Sequence, residues 1–250
     1  MMNREKNEGL APVSNNPPGD TFIGKLRFFI RTVLDMQVAS VYRHLRLWLK
    51  DRSGTLLEVG CGAQPYRHLV SSNCRYTGLD WEQAEAHFNY RLPDTTYYNG
   101  DIFPFKDSSF DNLFHTEVLE HVYHGREFLS ECRRVLKPTG SMFFTVPFQA
   151  RYHYIPNDFF RYTPAALERM LVEAGFSRIG IRPRGNDITV AAYKNISIIY
   201  RWMRSGPLGM IAGIMLFPIS VPVLILGQLS LRRDMGSTDD CLGYTVTADF

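Results

Sequence analysis

Seven consecutive residues constrain this chain more than any others: Leu56-Leu57-Glu58-Val59-Gly60-Cys61-Gly62. An apolar run interrupted by a single acid reads as a short strand buried in a sheet. The Gly-x-Gly at its end lets the backbone turn tightly and approach a ligand closely. Further strands are expected over 75–80, 96–101, 110–115, 141–148, 176–183 and 244–250, with 55–60 as the first. Between them, a helix begins near Arg126 with Phe128, Leu129, Cys132, Val135 and Leu136 on one face, and ends at Lys137-Pro138-Thr139-Gly140. Thr163 as cap and Pro164 in the first turn open another, which Gly175 stops. Alternating strands and helices argue for a doubly wound, Rossmann-like α/β sheet of seven strands, with any ligand at the carboxyl ends of the strands.

The residues at those strand ends describe the ligand. A dinucleotide-binding turn would follow Gly60-x-Gly62 with a third glycine at position 65, where this chain has Pro65. Glu58 precedes the turn by two residues; pyrophosphate gains nothing from an acid there, whereas an ammonium or sulfonium does. Asp80, twenty residues beyond Gly60, ends the second strand, and its carboxylate can accept from both hydroxyls of a ribose. Asp101, at the end of the third, can accept from an adenine amino group. Each acid alone reads equally well as a cap or turn residue. Together and in this order they point to an adenosine-bearing, amino-acid-like ligand.

On these residues the chain resembles the class I S-adenosylmethionine-dependent methyltransferases, type 11 group. LLEVGCG resembles the family's first motif and YTGLD its second. GDIFPFKDSSFDNLFHTEVLEHV is similar to the third and fourth joined, and RRVLKPTGSMFFTVP to the helix and strand that follow. The resemblance spans about residues 54–183. It implies S-adenosyl-L-methionine as cofactor, methyl transfer as activity, and an antiparallel last strand. Glu58, Gly60 and Gly62, with Cys61 between them, would then surround the methionine portion. Asp80 would hold the ribose with Trp81 against the adenine face, Asp101 and Ile102 would bracket the adenine, and His115 and Thr116 would border the sulfonium. The departure is Ala63-Gln64-Pro65, where many members have a third small residue and then a helix.

A hydroxyl acceptor needs a base near neutral pH, and histidine is the usual choice. His115, His121, His124 and His153 are the candidates. His121, in LEHV after the fourth strand, and His153, in the long loop QARYHYIPNDFFRYT after the fifth, are those expected to be catalytic. That loop mixes aromatic and polar residues as a substrate lid would. His121-x-x-His124 has metal-pair spacing, but no neighbouring carboxylate completes it convincingly, and no metal is expected.

The remaining segments set the organisation. Residues 1–20 read as a polar tail, 21–50 as basic amphipathic helices, and 51–185 with 242–250 as the cofactor-binding domain. Residues 186–241 read as an apolar insertion, in which Ser205–Leu231 carries no charge. Pro218 and Pro222 are expected to break this stretch into two short limbs. Arg201, Arg204, Arg232 and Arg233 flank it, as in a monotopic, re-entrant or interfacial anchor on a cytoplasmic membrane face. A buried hairpin in a dimer interface and a single span are the other readings. A net charge of +3 is too small to imply a nucleic-acid partner, and the four cysteines lack disulfide or metal-finger spacing. The expected acceptor is a small, lipid-linked or amphipathic molecule. A catalytically silent membrane scaffold and a nucleotide-cofactor oxidoreductase are the alternatives.

Overall fold

The computed structural model describes residues 16–83, 91–92, 94–154, 156–233 and 235–250. Of the expected tail, residues 1–15 lie outside them. The elements are α1 (Phe22–Leu34), α2 (Met36–Leu49), β1 (Gly54–Val59), β2 (Cys74–Trp81), β3 (Thr95–Tyr98), β4 (Phe110–Thr116), α3 (Gly125–Val135), β5 (Leu136–Pro147), α4 (Pro164–Glu173), β6 (Arg178–Arg184), α5 (Asp187–Met203), α6 (Pro207–Arg233) and β7 (Gly243–Asp249). The strands form one sheet in the order β3-β2-β1-β4-β5-β7-β6. Pairing is parallel from β3 through β5. Ser177 N–H donates to the Asp249 carbonyl (3.1 Å) at one end of the β6–β7 pair and Leu242 N–H to the Arg184 carbonyl (2.9 Å) at the other, so these strands run antiparallel.

The chain divides into two compact units. The sheet unit comprises Tyr42–Arg182 and Tyr244–Phe250. Its core is built from both faces of the central strands: Leu56, Leu57, Leu113, Phe114, Phe143 and Phe144 are buried, and the Trp48 ring of α2 packs on Phe114 and Phe143. The strand order reverses direction between β1 and β4, and that is where a doubly wound sheet opens its ligand crevice.

The helical unit comprises Gly19–Val41 and Pro183–Gly243, so it takes in α1 as well as the apolar insertion. Asp35 separates α1 from α2, with its carboxylate accepting from Gln37 N–H (3.1 Å) and Val38 N–H (3.2 Å) to start the second helix. Helices α5 and α6 pack closely where glycines permit it. A Cβ on Gly213 would lie 2.3 Å from Met203 Cγ, and one on Gly227 would lie 2.4 Å from Ala192 Cβ. Pro218 and Pro222 do not divide α6, contrary to expectation: it is one helix of 27 residues, about 40 Å long. Packing against α5 holds the axis through both prolines, and Ser220 Oγ donates to the Leu216 carbonyl (3.2 Å) within the same stretch. Most of α6 nevertheless faces outward, with Leu208 84%, Met215 70% and Ile219 71% exposed.

Candidate functional site at the carboxyl ends of the strands

The turn after β1 is built around Gly60 and Gly62. Both have left-handed backbones, at φ +65° and +55°. A Cβ on Gly60 would lie 2.5 Å from Val118 Cγ2, so the turn passes too close to the segment after β4 for any side chain. Gly60 and Cys61 donate backbone N–H bonds to the Leu79 carbonyl (2.8 and 3.2 Å), pinning the turn to the end of β2. Asp80 completes this clasp: one carboxylate oxygen accepts from Gly62 N–H (3.1 Å) and the other from Trp81 N–H (2.8 Å). Asp80 is only 8% exposed. An ionised carboxylate offers about four acceptor positions in all.

Glu58 lies beneath the turn at 2% exposure and accepts a hydrogen bond from the Tyr76 hydroxyl of β2. Burial pushes its carboxyl up to about 8, only partly opposed by the Tyr76 bond, and Asp80 raises it further. Tyr76 is in turn covered by the Arg67 guanidinium, 4.1 Å from its ring centroid. Nothing in the sequence reading assigned Tyr76 a role; the usable signal was its place four residues before Asp80 on the neighbouring strand. The Cys61 thiol is buried, 3.7 Å from Thr95 Oγ1, and burial first and Glu58 second push its pKa up, so it is a packing group.

The other sequence-derived residues fall in different surroundings. Strand β3 stops at Tyr98, three residues short of Asp101, which is exposed in a bend with its N–H on Asn99 Oδ1 (3.3 Å). Ile102 is 69% exposed. The half-buried Trp81 indole lies alongside Gly100, where a Cβ would be 3.6 Å from its Nε1. Thr116 ends β4 beside Thr145 of β5. His115 is turned into the core: it is fully buried, stacks on Phe144 (4.6 Å between centroids) and meets Phe128 edge-on. Neither ring nitrogen has a partner among the described residues, and burial lowers its pKa to about 3, so the imidazole is neutral packing. Both faces of a central parallel strand are buried, so its position on β4 gave no hint of direction.

His121 and His153 do come together. Their rings meet edge to face at 5.0 Å between centroids, one from the single turn Leu119–His121 after β4 and the other from the loop after β5. His121 Nδ1 lies 2.6 Å from the Asn157 carbonyl; as a carbonyl only accepts, Nδ1 carries the proton and Nε2 is the free acceptor. Burial lowers His121 to about 4 against that opposing bond. The loop is tied internally by Asp158, which receives Arg161 on both oxygens (2.6 and 2.7 Å) and His153 N–H (3.0 Å). Burial raises the Asp158 pKa, but the bonds from Arg161 and His153 outweigh it, leaving the carboxyl well below its usual range. Phe159 N–H on the Glu120 carbonyl (2.9 Å) joins this loop to the turn after β4. Glu120 went unassigned in the sequence, although its side chain is fully buried; burial first, and then Glu117, raise its pKa well above the usual range. His124 is exposed at the start of α3 and joins none of these groups.

The donor set fits S-adenosylmethionine. Gly60 and Gly62 form a turn with no room for side chains. Asp80 beside it can accept from a ribose diol, Glu58 can pair with an ammonium once it is ionised, and Trp81 supplies an aromatic edge.

Parts of this chain are similar to known proteins. Residues 57–144 match the family model described as a methyltransferase domain. A probable S-adenosylmethionine-dependent methyltransferase of Mycolicibacterium smegmatis is 34% identical over 96 residues, 37% of this chain and 37% of that protein. The phthiotriol/phenolphthiotriol dimycocerosates methyltransferase of Mycobacterium tuberculosis is 38% identical over 93 residues, 34% of each. The matches thus span little more than a third of those relatives. The fold is shared with the crystal structure of a SAM dependent methyltransferase from Archaeoglobus fulgidus at a TM-score of 0.54 and 14% identity, covering 90% of this chain and 99% of that one.

Proposed function

We propose, from the premise that this chain is built on a class I S-adenosylmethionine-dependent methyltransferase domain, that it methylates a hydroxyl of a lipid-linked or amphipathic acceptor at a membrane face. The observation that carries the reading is the clasp of the Gly60–Gly62 turn by Asp80, directly above the buried Glu58. The chemistry supplied by bound S-adenosylmethionine is an activated methyl on a sulfonium. Asp80 would accept from the ribose hydroxyls, and Glu58 would pair with the ammonium of the methionine portion. His115, Phe128 and Phe144 keep water from the sheet beneath the site. His121, with Nδ1 protonated, presents Nε2 as the atom to which an acceptor hydroxyl can pass its proton. Positioning supplies most of the remaining acceleration, because an in-line displacement depends on near-attack geometry.

The membrane reading rests on the helical unit. Helix α6 has a mean hydropathy of 2.3 over its most apolar 18 residues, of which 17% are buried. A single crossing would leave β6 and β7, neighbours in one sheet, on opposite sides. A return through α5 would carry Lys194 and Arg201 into hydrocarbon, at about 2.5–3.5 kcal/mol for each charge near a helix centre. An in-plane, monotopic placement on the cytoplasmic face avoids both, with Arg201, Arg204, Arg232 and Arg233 at headgroup level. One relative acts, by its name, on phthiotriol and phenolphthiotriol dimycocerosates, which supports an apolar acceptor.

The test is methyl transfer from radiolabelled S-adenosylmethionine into total membrane lipid extract presented in vesicles. The reading expects label in the organic phase, and Asp80→Ala abolishes it. Label only in water-soluble products would refute the lipid acceptor.

A further inference from the structure

Beside the cofactor crevice, three side chains from two segments converge. One ligand atom from each of Glu120, His121 and His153 lies within 4.8 Å of the other two. We propose that these residues form a binding site for one first-row divalent cation of the Zn2+, Fe2+ or Co2+ kind.

Glu120 supplies the strongest argument. Its side chain is fully buried, yet neither carboxylate oxygen receives a hydrogen bond from the described residues. The nearest cation-capable atom is His121 Nε2, 3.7 Å from Glu120 Oε1, which is ion-pair range and too long for a hydrogen bond. Buried acids are ordinarily satisfied by hydrogen bonds, a paired charge or a metal. The space between these groups has the donors for the last of these.

The histidines are prepared for the same role. The Nδ1 atom of His121 donates to the Asn157 carbonyl (2.6 Å). That of His153 lies 2.9 Å from the Arg151 carbonyl and 3.0 Å from Asp158 Oδ2. Both partners are acceptors, so both rings hold the proton on Nδ1 and keep the Nε2 lone pair for ligation. Metal-binding histidines are held in this way, with the distal N–H on a carboxylate or carbonyl that fixes ring and tautomer. Asp158 is itself locked by the two-point bond to Arg161. The backbone of the loop returns to Glu120 through Phe159, holding the two segments in register.

Two imidazoles and one carboxylate suit a borderline cation and leave coordination positions open, unlike the all-oxygen shells of Ca2+ or Mg2+. The role deepens the function proposed above and rests on it. A cation here would polarise an acceptor hydroxyl directly, and the Nε2 atoms would then be ligands in place of a proton acceptor.

The test uses chelator-stripped full-length protein, titrated with Zn2+ and with Co2+ by calorimetry and, for Co2+, by visible absorption. S-adenosylhomocysteine is titrated into the same samples. The proposal expects one equivalent of cation and a Co2+ band. Glu120→Gln and His153→Gln each weaken the affinity roughly 100-fold or more, Asp158→Asn by about 10–100-fold, and His124→Gln leaves it unchanged. Unaltered S-adenosylhomocysteine affinity certifies that each variant is folded. Cation uptake with no S-adenosylhomocysteine binding keeps the metal site and removes the methyltransferase reading. S-adenosylhomocysteine binding with no cation uptake, or uptake indifferent to Glu120→Gln and His153→Gln, overturns the metal site alone.

Discussion

In the sheet unit Leu56, Leu113, Phe114 and Phe144 are completely buried, whereas on α6 of the helical unit Leu208, Met215 and Ile219 stand 84%, 70% and 71% exposed. Both units bury polar groups, and Arg184, Asn186 and Thr189 of the helical unit are as inaccessible as Glu58 and Glu120 of the sheet unit. The sheet unit buries Glu58, Asp80, His115 and Glu120, and the helical unit places Arg201, Arg204, Arg232 and Arg233 at the ends of its apolar helix. One unit closes on itself and keeps its chemistry inside. The other has a small core around Met36, Ala192 and Leu224 and leaves most of the apolar surface of α6 exposed. Cofactor affinity and membrane affinity should therefore be separable by mutation.

The largest expected effect is on the open side. Met215→Glu with Ile219→Glu places two charges on one exposed face of α6, one turn apart. Binding to anionic lipid vesicles, measured by co-sedimentation, should fall about 100-fold, with S-adenosylhomocysteine affinity unchanged within about twofold. A parallel loss of both would mean that the two units do not act separately.

On the closed side the next effect is a pH dependence. With its carboxyl near 8, Glu58 is protonated in the free protein at neutral pH. Pairing with the cofactor ammonium favours the ionised form, so binding releases a proton. Affinity should rise about tenfold for each pH unit up to about 8 and level off above it. Calorimetry across that range checks the slope, and Glu58→Gln should flatten it while weakening binding at pH 8.5.

The same group affects stability in the opposite sense. A folded-state value raised from 4.5 to about 8 gives a contribution present below 4.5 and lost as pH rises through 8. Glu58→Gln should thus raise the melting temperature of the cofactor-free protein by roughly ten degrees at pH 8.5 and by only about 2–3 degrees at pH 5. A smaller change is expected from Gly60→Ala, which combines a left-handed backbone with an encounter with Val118. A cost of about 1–2 kcal/mol lowers the melting temperature by about 2–6 °C, read by differential scanning fluorimetry.

What could be read from the sequence follows from how local each feature is. That Gly60, Gly62 and Asp80 all stand at strand ends was legible because strand-end chemistry in a doubly wound sheet depends on order along the chain, whereas the hydrogen bond from Gly62 to Asp80 was not. The strands were likewise placed closely, with β5 beginning earlier, at Leu136, because the chain enters it directly from α3 despite Pro138. Glu120 stayed hidden because its partners reach it through a loop that begins some thirty residues later, and Tyr76 because its bond to Glu58 crosses strands. His115 misled because a polar residue at the end of a doubly covered strand carries no period to orient it. Pro218 and Pro222 misled for the converse reason: the local rule predicts a break, and packing between α5 and α6 overrides it.

The most direct test of the account is a calorimetric titration of S-adenosylmethionine into wild type and Asp80→Ala at pH 8. The account predicts one-to-one micromolar binding to wild type and a loss of roughly 100-fold or more in the variant, since Asp80 both holds the glycine turn and accepts from the ribose. A cooperatively folded wild type that binds no S-adenosylmethionine, or a variant that binds it equally well, would contradict it.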